Sequence, residues 1–180
     1  MDEWKEKLKS QLVPVSGRLV RSVSVGSVAA LRQVNEVPRL YRRTNRDPPT
    51  RSLPYIDSML EAPLAFHLKH QSHPHTLLWL QSIFSDITDQ YYVAVMAVLT
   101  SVQKTEESLR RLKKIRDKSI ATGSAPDRGG DDDKIRMQLY FDANYYCKKI
   151  EELGIKKENV DHLKDLLKLV ETLHNKNGLK

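Results

Sequence analysis

A chain of 180 residues, 39% hydrophobic and 29% charged, is long enough for one domain, and its single cysteine excludes an intramolecular disulfide framework and any multi-cysteine zinc site. No run approaches the roughly 20 apolar residues of a membrane-spanning helix, and the opening MDEWKEKLKSQLV, acidic at Asp2 and Glu3, lacks the apolar core of a signal peptide. The expectation is a soluble intracellular chain in which 30 Lys and Arg outweigh 23 Asp and Glu, a net charge of +7.

In chain order, residues 2–13 form a short amphipathic piece, set apart from the next helical stretch by Pro14 and Gly17. Leu19, Val20, Val23, Ser27, Ala30, Leu31 and Val34 predict a weaker helical stripe over about 17–43, kinked near its end by Pro38. Pro48, Pro49 and Pro54 force an extended link. Tyr55–His70 is then a short helix interrupted early by Pro63.

The clearest signal lies in residues 75–118. Leu77, Leu80, Phe84, Ile87, Tyr91, Ala94, Val98, Val102, Thr105, Leu109 and Leu112 recur at steps of three and four, and no glycine or proline occurs from His75 to Thr122. A helix of that length runs on the order of 65 Å at about 1.5 Å per residue, too long for a compact globule.

A flexible loop is expected at 120–131, rich in glycine and small residues. Asp131, Asp132 and Asp133 are expected to cap the next helix and complement its dipole. Ile135, Leu139, Ala143, Tyr146, Ile150 and Leu153 mark that helix, with Gly154 as a left-handed C-cap. Val160, Leu163, Leu167, Val170 and Leu173 mark the last one, ending at Asn177 and Gly178. No alternating run of β-branched residues suggests a strand. The predicted fold is all-α: an elongated antiparallel helical bundle with one long helix (about 75–118) and a C-terminal helical hairpin.

The charge is uneven. Residues 1–54 hold 11 basic residues against 5 acidic, and residues 104–118 hold 7 against 3. One island is Arg39, Arg42, Arg43, Arg46 and Arg51; the other runs from Arg110 to Lys118. Such islands attract phosphate on lipid or nucleic acid, but Glu106 and Glu107 stand four residues before Arg110 and Arg111, the pairing of a self-stabilising solvated helix face. Tyr41 among the arginines could stack on bases, yet no helix-turn-helix, zinc finger or single-stranded-RNA module is present, so nucleic acid is not expected as a partner.

Catalysis finds no foothold. The histidines His67, His70, His73 and His75 have no Cys, Asp or Glu among them to complete a zinc shell and read as a surface cluster. The acid triplet lacks the spacing of a calcium loop. Cys147 has no histidine close in sequence and reads as a buried structural thiol, and Trp79, Phe84, Tyr91 and Tyr92 read as core. No phosphate-loop, dinucleotide, metalloprotease or nucleophile-elbow motif occurs. Neither a cofactor nor a small-molecule substrate is expected.

The segment PRLYRRTNRDPPTRSLPYID, with Tyr41, Arg42, Arg43, Thr44 and Asn45 followed by Tyr55, Ile56 and Asp57, resembles the C-terminal region of subunit 2 of the conserved oligomeric Golgi complex. The resemblance continues through WLQSIFSDITDQYY, VQKTEESLRRLKKIRDK and DDDKIRMQLYFDANYYCKKIEELGI. It covers about 37–156 well and the flanking helices weakly, dividing the chain into N-terminal helices at 1–36 and a C-terminal helical domain at 37–180. It implies a non-enzymatic subunit of a multisubunit vesicle-tethering complex, acting in intra-Golgi retrograde transport from the cytoplasmic face of the Golgi membrane, with the other subunits as partners. Family members are much longer, so a fragment or a short form is expected. Arg39, Tyr41, Arg42, Arg43 and Asn45 stand out as an interaction motif or, equally, a buried packing knot before the link. A reading from another class is a basic helical protein that binds anionic membrane or nucleic acid through Arg18, Arg21, Arg32 and Arg39.

Overall fold

The computed structural model describes residues 3–117 and 130–175, and every regular element among them is helical. The order is α1 (Glu3–Ala30), a 3-10 turn (Leu31–Glu36), α2 (Val37–Tyr41), α3 (Tyr55–His70), α4 (Thr76–Asp117), α5 (Asp131–Glu152), a second 3-10 turn (Lys157–Asn159) and α6 (Leu163–Asn175). The expected loop at 120–131 lies almost wholly outside the described residues, as does the expected end at Asn177 and Gly178.

The N-terminal elements depart from the expectation. Pro14 and Gly17 do not divide the chain: α1 runs through both as one helix of 28 residues. Pro14 is exposed, so water can satisfy the carbonyl that its missing N–H abandons, and a Cβ at Gly17 would meet nothing within 4 Å. The expected helix over 17–43 is instead broken by the 3-10 turn, whose Leu31 and Val34 are buried, and Pro38 falls in the first turn of α2, where its missing N–H costs nothing. Pro63 does not interrupt α3 either; it is buried in a continuous helix beside Met59, Leu60 and Phe66.

α4 is the axis. Its 42 residues span about 63 Å at 1.5 Å per residue, against a diameter of roughly 40 Å for a compact chain of this size. The buried stripe is Leu80, Ile83, Phe84, Ile87, Tyr91, Val95, Val98, Leu99 and Val102. The expected stripe overran the core at both ends, because Leu77, Leu109 and Leu112 are 45%, 53% and 62% exposed. Trp79 and Tyr92 also stay partly exposed, whereas Phe84 and Tyr91 are fully buried.

Two helices run antiparallel to α4. α3 does so through ring contacts of Phe66 with Trp79 and a hydroxyl contact of Tyr55 with Tyr91, and α5 through Tyr146 beside Thr88 and Arg136 beside Glu106. α6 folds back onto α5 and α4, burying Leu163, Leu166 and Val170. Asp161 N–H donates to Ser85 Oγ at 3.0 Å, and His162 stacks on Tyr92 at 5.8 Å. Gly154 makes the turn out of α5 at φ 79°, the left-handed conformation a helix terminus favours. The C-terminal hairpin is therefore present, with Val160 buried just ahead of α6.

Candidate interaction site

The YRRTN segment begins where α2 ends. Arg42 turns the chain extended, and its N–H still closes the helix on Pro38 O at 3.0 Å. Arg43 and Asn45 then take φ 60° and 48°. Asn accepts this region easily, while for Arg it is strained by roughly 1 kcal/mol or more. The surroundings hold the strain in place: Thr44 Oγ1 donates to Leu40 O at 2.7 Å, and Arg43 N–H donates to Asp131 Oδ2 at 3.3 Å.

One face of α5 grips the link from residue 42 to residue 57. Asp132 Oδ1 meets Arg42 Nη2 at 3.4 Å, and Lys134 Nζ donates to Arg46 O at 2.7 Å. A turn later, Gln138 accepts from Tyr41 OH at 2.6 Å and donates from Nε2 to Arg51 O at 2.9 Å. Next comes Asp142, wholly buried: Oδ1 accepts from Leu53 N–H and Gln138 Nε2, both at 2.8 Å, and Oδ2 accepts from Tyr55 OH at 2.7 Å. Since Tyr55 spends its proton there, Tyr91 OH is the donor in the 3.3 Å contact between the two hydroxyls. Tyr145 ends the row, donating to Asp57 Oδ1 at 2.9 Å.

Burial drives the Asp142 carboxyl up to about 6, against the downward pull of its three donors. Burial likewise raises the phenols of Tyr55 and Tyr91 and the thiol of Cys147, which is the buried structural cysteine the sequence suggested. Asp132 is raised by burial and lowered by Arg42. Arg136 is raised by its two hydrogen bonds to Glu106, at 2.8 and 2.9 Å, which tie the start of α5 to α4.

The five motif residues therefore divide. Tyr41 is 3% exposed and locked to Gln138, and Arg42 is half-buried against Asp132. Arg39 is exposed and paired with Glu36 at 2.8 Å; Arg43 and Asn45 are exposed at the bend. The acid triplet occupies the first turn of α5, where it complements the dipole as expected, but it does not supply the cap: the N-cap is Gly130, which has no side chain to bond, and the carboxylates reach Arg42, the Arg43 amide and Arg136. The sequence reading missed Gln138 and Asp142. Their signal was two polar residues four apart on the same line as Ile135, Leu139 and Tyr146. Above this clip the link and α5 border an open groove of about 930 Å3, walled by Pro49, Phe141, Tyr145 and Lys148 among others.

The histidine cluster builds the α3–α4 turn. His73 stacks on Trp79 at 4.6 Å, its Nδ1 accepts from His75 N–H at 3.2 Å, and Thr76 Oγ1 donates to His70 O. Among the described residues no three His, Cys, Asp or Glu are grouped to hold a metal. Nor is any described helix long and apolar enough to cross a membrane.

Replacing Tyr41 with phenylalanine removes the donor to Gln138 Oε1, between two side chains that are both buried. The expected cost is about 1–2 kcal/mol, read as a shift in urea midpoint with unchanged slope.

Fold and clip together define an all-α bundle domain whose link is bound to one face of a single helix. The chain belongs to the family described as COG complex component, COG2, C-terminal, whose model matches residues 1–143. It is 37% identical over 166 residues, 89% of this chain and 22% of the relative, to a Homo sapiens protein named Conserved oligomeric Golgi complex subunit 2. Proteins of the same name from Drosophila melanogaster and Caenorhabditis elegans are 42% identical over 146 residues and 28% over 164. Those matches cover 78% of this chain and 21% of the fly protein, and 89% and 23% for the worm protein. The chain thus spans about a fifth of the length of the curated relatives it matches. No solved structure matches it.

Proposed function

We propose that this chain is a non-enzymatic assembly segment of a subunit of the conserved oligomeric Golgi complex. It serves vesicle tethering in intra-Golgi retrograde transport, peripherally at the cytoplasmic face of the Golgi membrane. The observation that carries this reading is the family match over residues 1–143. The mechanism is mechanical: a long helical axis gives reach, and surfaces outside the core bind helices of other subunits. In the YRRTN motif, Tyr41 and Arg42 anchor the bend to α5, while Arg39, Arg43 and Asn45 form its exposed rim toward a partner. The guanidinium groups of Arg39 and Arg42 in the first basic island are already engaged by Glu36 and Asp132, which favours assembly over a nucleic-acid footprint.

The tagged chain, expressed in cells and recovered under mild detergent, is expected to carry other Golgi complex subunits with it, and Arg39→Glu/Arg43→Glu is expected to reduce their yield. Recovery of none of those subunits with the unaltered chain sinks the proposal.

A further inference from the structure

α4 outruns the bundle. Glu106 pairs with Arg136, the sixth residue of the antiparallel α5, so the residues ahead of Arg136 flank 107–111 and, among the described residues, α4 runs past the start of α5 by about 9 Å. The apolar seam of α4 does not stop there. Val98 and Val102 are buried, Thr105 is half-buried, and then Leu109, Leu112 and Ile115 stand 53%, 62% and 68% exposed. Val102, Thr105, Leu109 and Leu112 succeed one another at steps of three, four and three, the spacing that upstream faces packed helices. At 100° per residue, Leu109, Leu112 and Ile115 span an arc of about 120° that also takes in Ser108 and Arg116, with Lys113 on one flank, Arg111 on the other, and Arg110 and Lys114 behind. Residues 107–117 carry five basic against two acidic residues.

We propose that this overhang docks an acidic amphipathic helix of another protein. The partner helix lies alongside this end of α4, level with the first turn of α5 and beyond it, sets leucine-type side chains onto Leu109, Leu112 and Ile115, and presents carboxylates to Arg111 and Lys113. Charge selects the occupant. A second copy would bring the same cations against these, at the cost of like-charge repulsion. A lipid surface is the weaker fit, because three large apolar residues bury little, and an arc of this width is that of a helix packed on protein. The proposal rests on the reading of the chain as an assembly segment and deepens it by naming the chemistry of the partner.

The test uses the purified full chain and a synthetic helix with leucine at its seam and glutamate on both flanks, beside the same peptide with lysine flanks and vesicles containing phosphatidylserine. The glutamate peptide is expected to bind, to weaken as salt rises, and to lose about tenfold or more with Leu109→Ser/Leu112→Ser and with Arg111→Glu/Lys113→Glu. All four positions are exposed, so melting temperatures should match the parent. Equal binding of the lysine peptide, indifference to both variants, or vesicle binding that Leu109→Ser/Leu112→Ser abolishes while the glutamate peptide fails to bind would each overturn the proposal. Because no cellular complex enters this measurement, its outcome is separable from recovery of tether subunits.

Discussion

Truncating Asp142 to alanine is expected to cost about 3–5 kcal/mol of folding stability, roughly 10 °C or more in melting temperature for a chain of this length. The carboxylate is the point at which the link, α3 and α5 meet. It is 0% exposed and accepts from Leu53 N–H, Tyr55 OH and Gln138 Nε2. Alanine leaves three donors dry and unpaired at about 1–3 kcal/mol each, partly offset because a buried charge is removed. Asp142→Asn keeps one oxygen for Leu53 and Gln138, and its expected cost is below about 1.5 kcal/mol at neutral pH. An alanine variant within about 1 kcal/mol of the parent would mean that the clip is not what holds the link.

The same carboxyl makes stability depend on pH in an unusual direction. Folding raises its pKa from 3.8 to about 6, so between those values the folded chain holds a proton that the unfolded chain has released. By linkage, the stabilisation is fully present below the unfolded pKa and is lost as pH rises through the folded one. The two-unit shift corresponds to about 3 kcal/mol. Subtracting the Asp142→Asn variant removes the other titrating groups. The stability of the parent relative to that variant is therefore expected to fall by about 3 kcal/mol from pH 3.5 to pH 7 in paired urea titrations. A flat difference across that range would show that the carboxyl titrates normally.

What the sequence made legible was periodic and local. α4 was expected over 75–118 and runs Thr76–Asp117, because an unbroken 3.6 repeat needs no distant information. Ile135, Leu139, Ala143, Tyr146 and Ile150 are all buried as their spacing implied, and Gly154 adopts the left-handed turn. Local rules failed where tertiary surroundings decided. Pro14, Gly17 and Pro63 read as breaks, yet hydration of an exposed carbonyl, or burial of the proline ring, offsets the local cost. The clip was hidden for a stronger reason. Gln138 and Asp142 are stabilised by Tyr41, Arg51, Leu53 and Tyr55, 87 to 97 residues away in the chain. A hydropathy pattern counts such residues as polar and assigns them to solvent. Within the YRRTN motif the sequence marked a unit but not its division between an anchored Tyr41 and an exposed Arg39.

Tyr146→Ala is expected to be as damaging as the loss of Asp142, by a different route. The ring is fully buried between α4 and α5, edge-on to Tyr91 at 5.5 Å and to Phe84 at 6.2 Å, and its hydroxyl meets Thr88 Oγ1 at 3.0 Å. Removing the ring opens a cavity worth about 3–5 kcal/mol, whereas Tyr146→Phe strands only the Thr88 hydroxyl, at about 1 kcal/mol. Packing should therefore exceed hydrogen bonding severalfold, and a phenylalanine variant as unstable as the alanine one would reverse that ranking. Because Tyr146 lies one turn beyond Asp142 on α5, both substitutions loosen the same helix. If either alone releases α5 with α6 resting on it, the second has less left to remove. The double variant should then fall short of the sum by more than about 0.5 kcal/mol, and amide exchange should quicken in α5 and α6 before α3 and α4. Strict additivity would instead mean that the clip and the aromatic contact hold α5 independently.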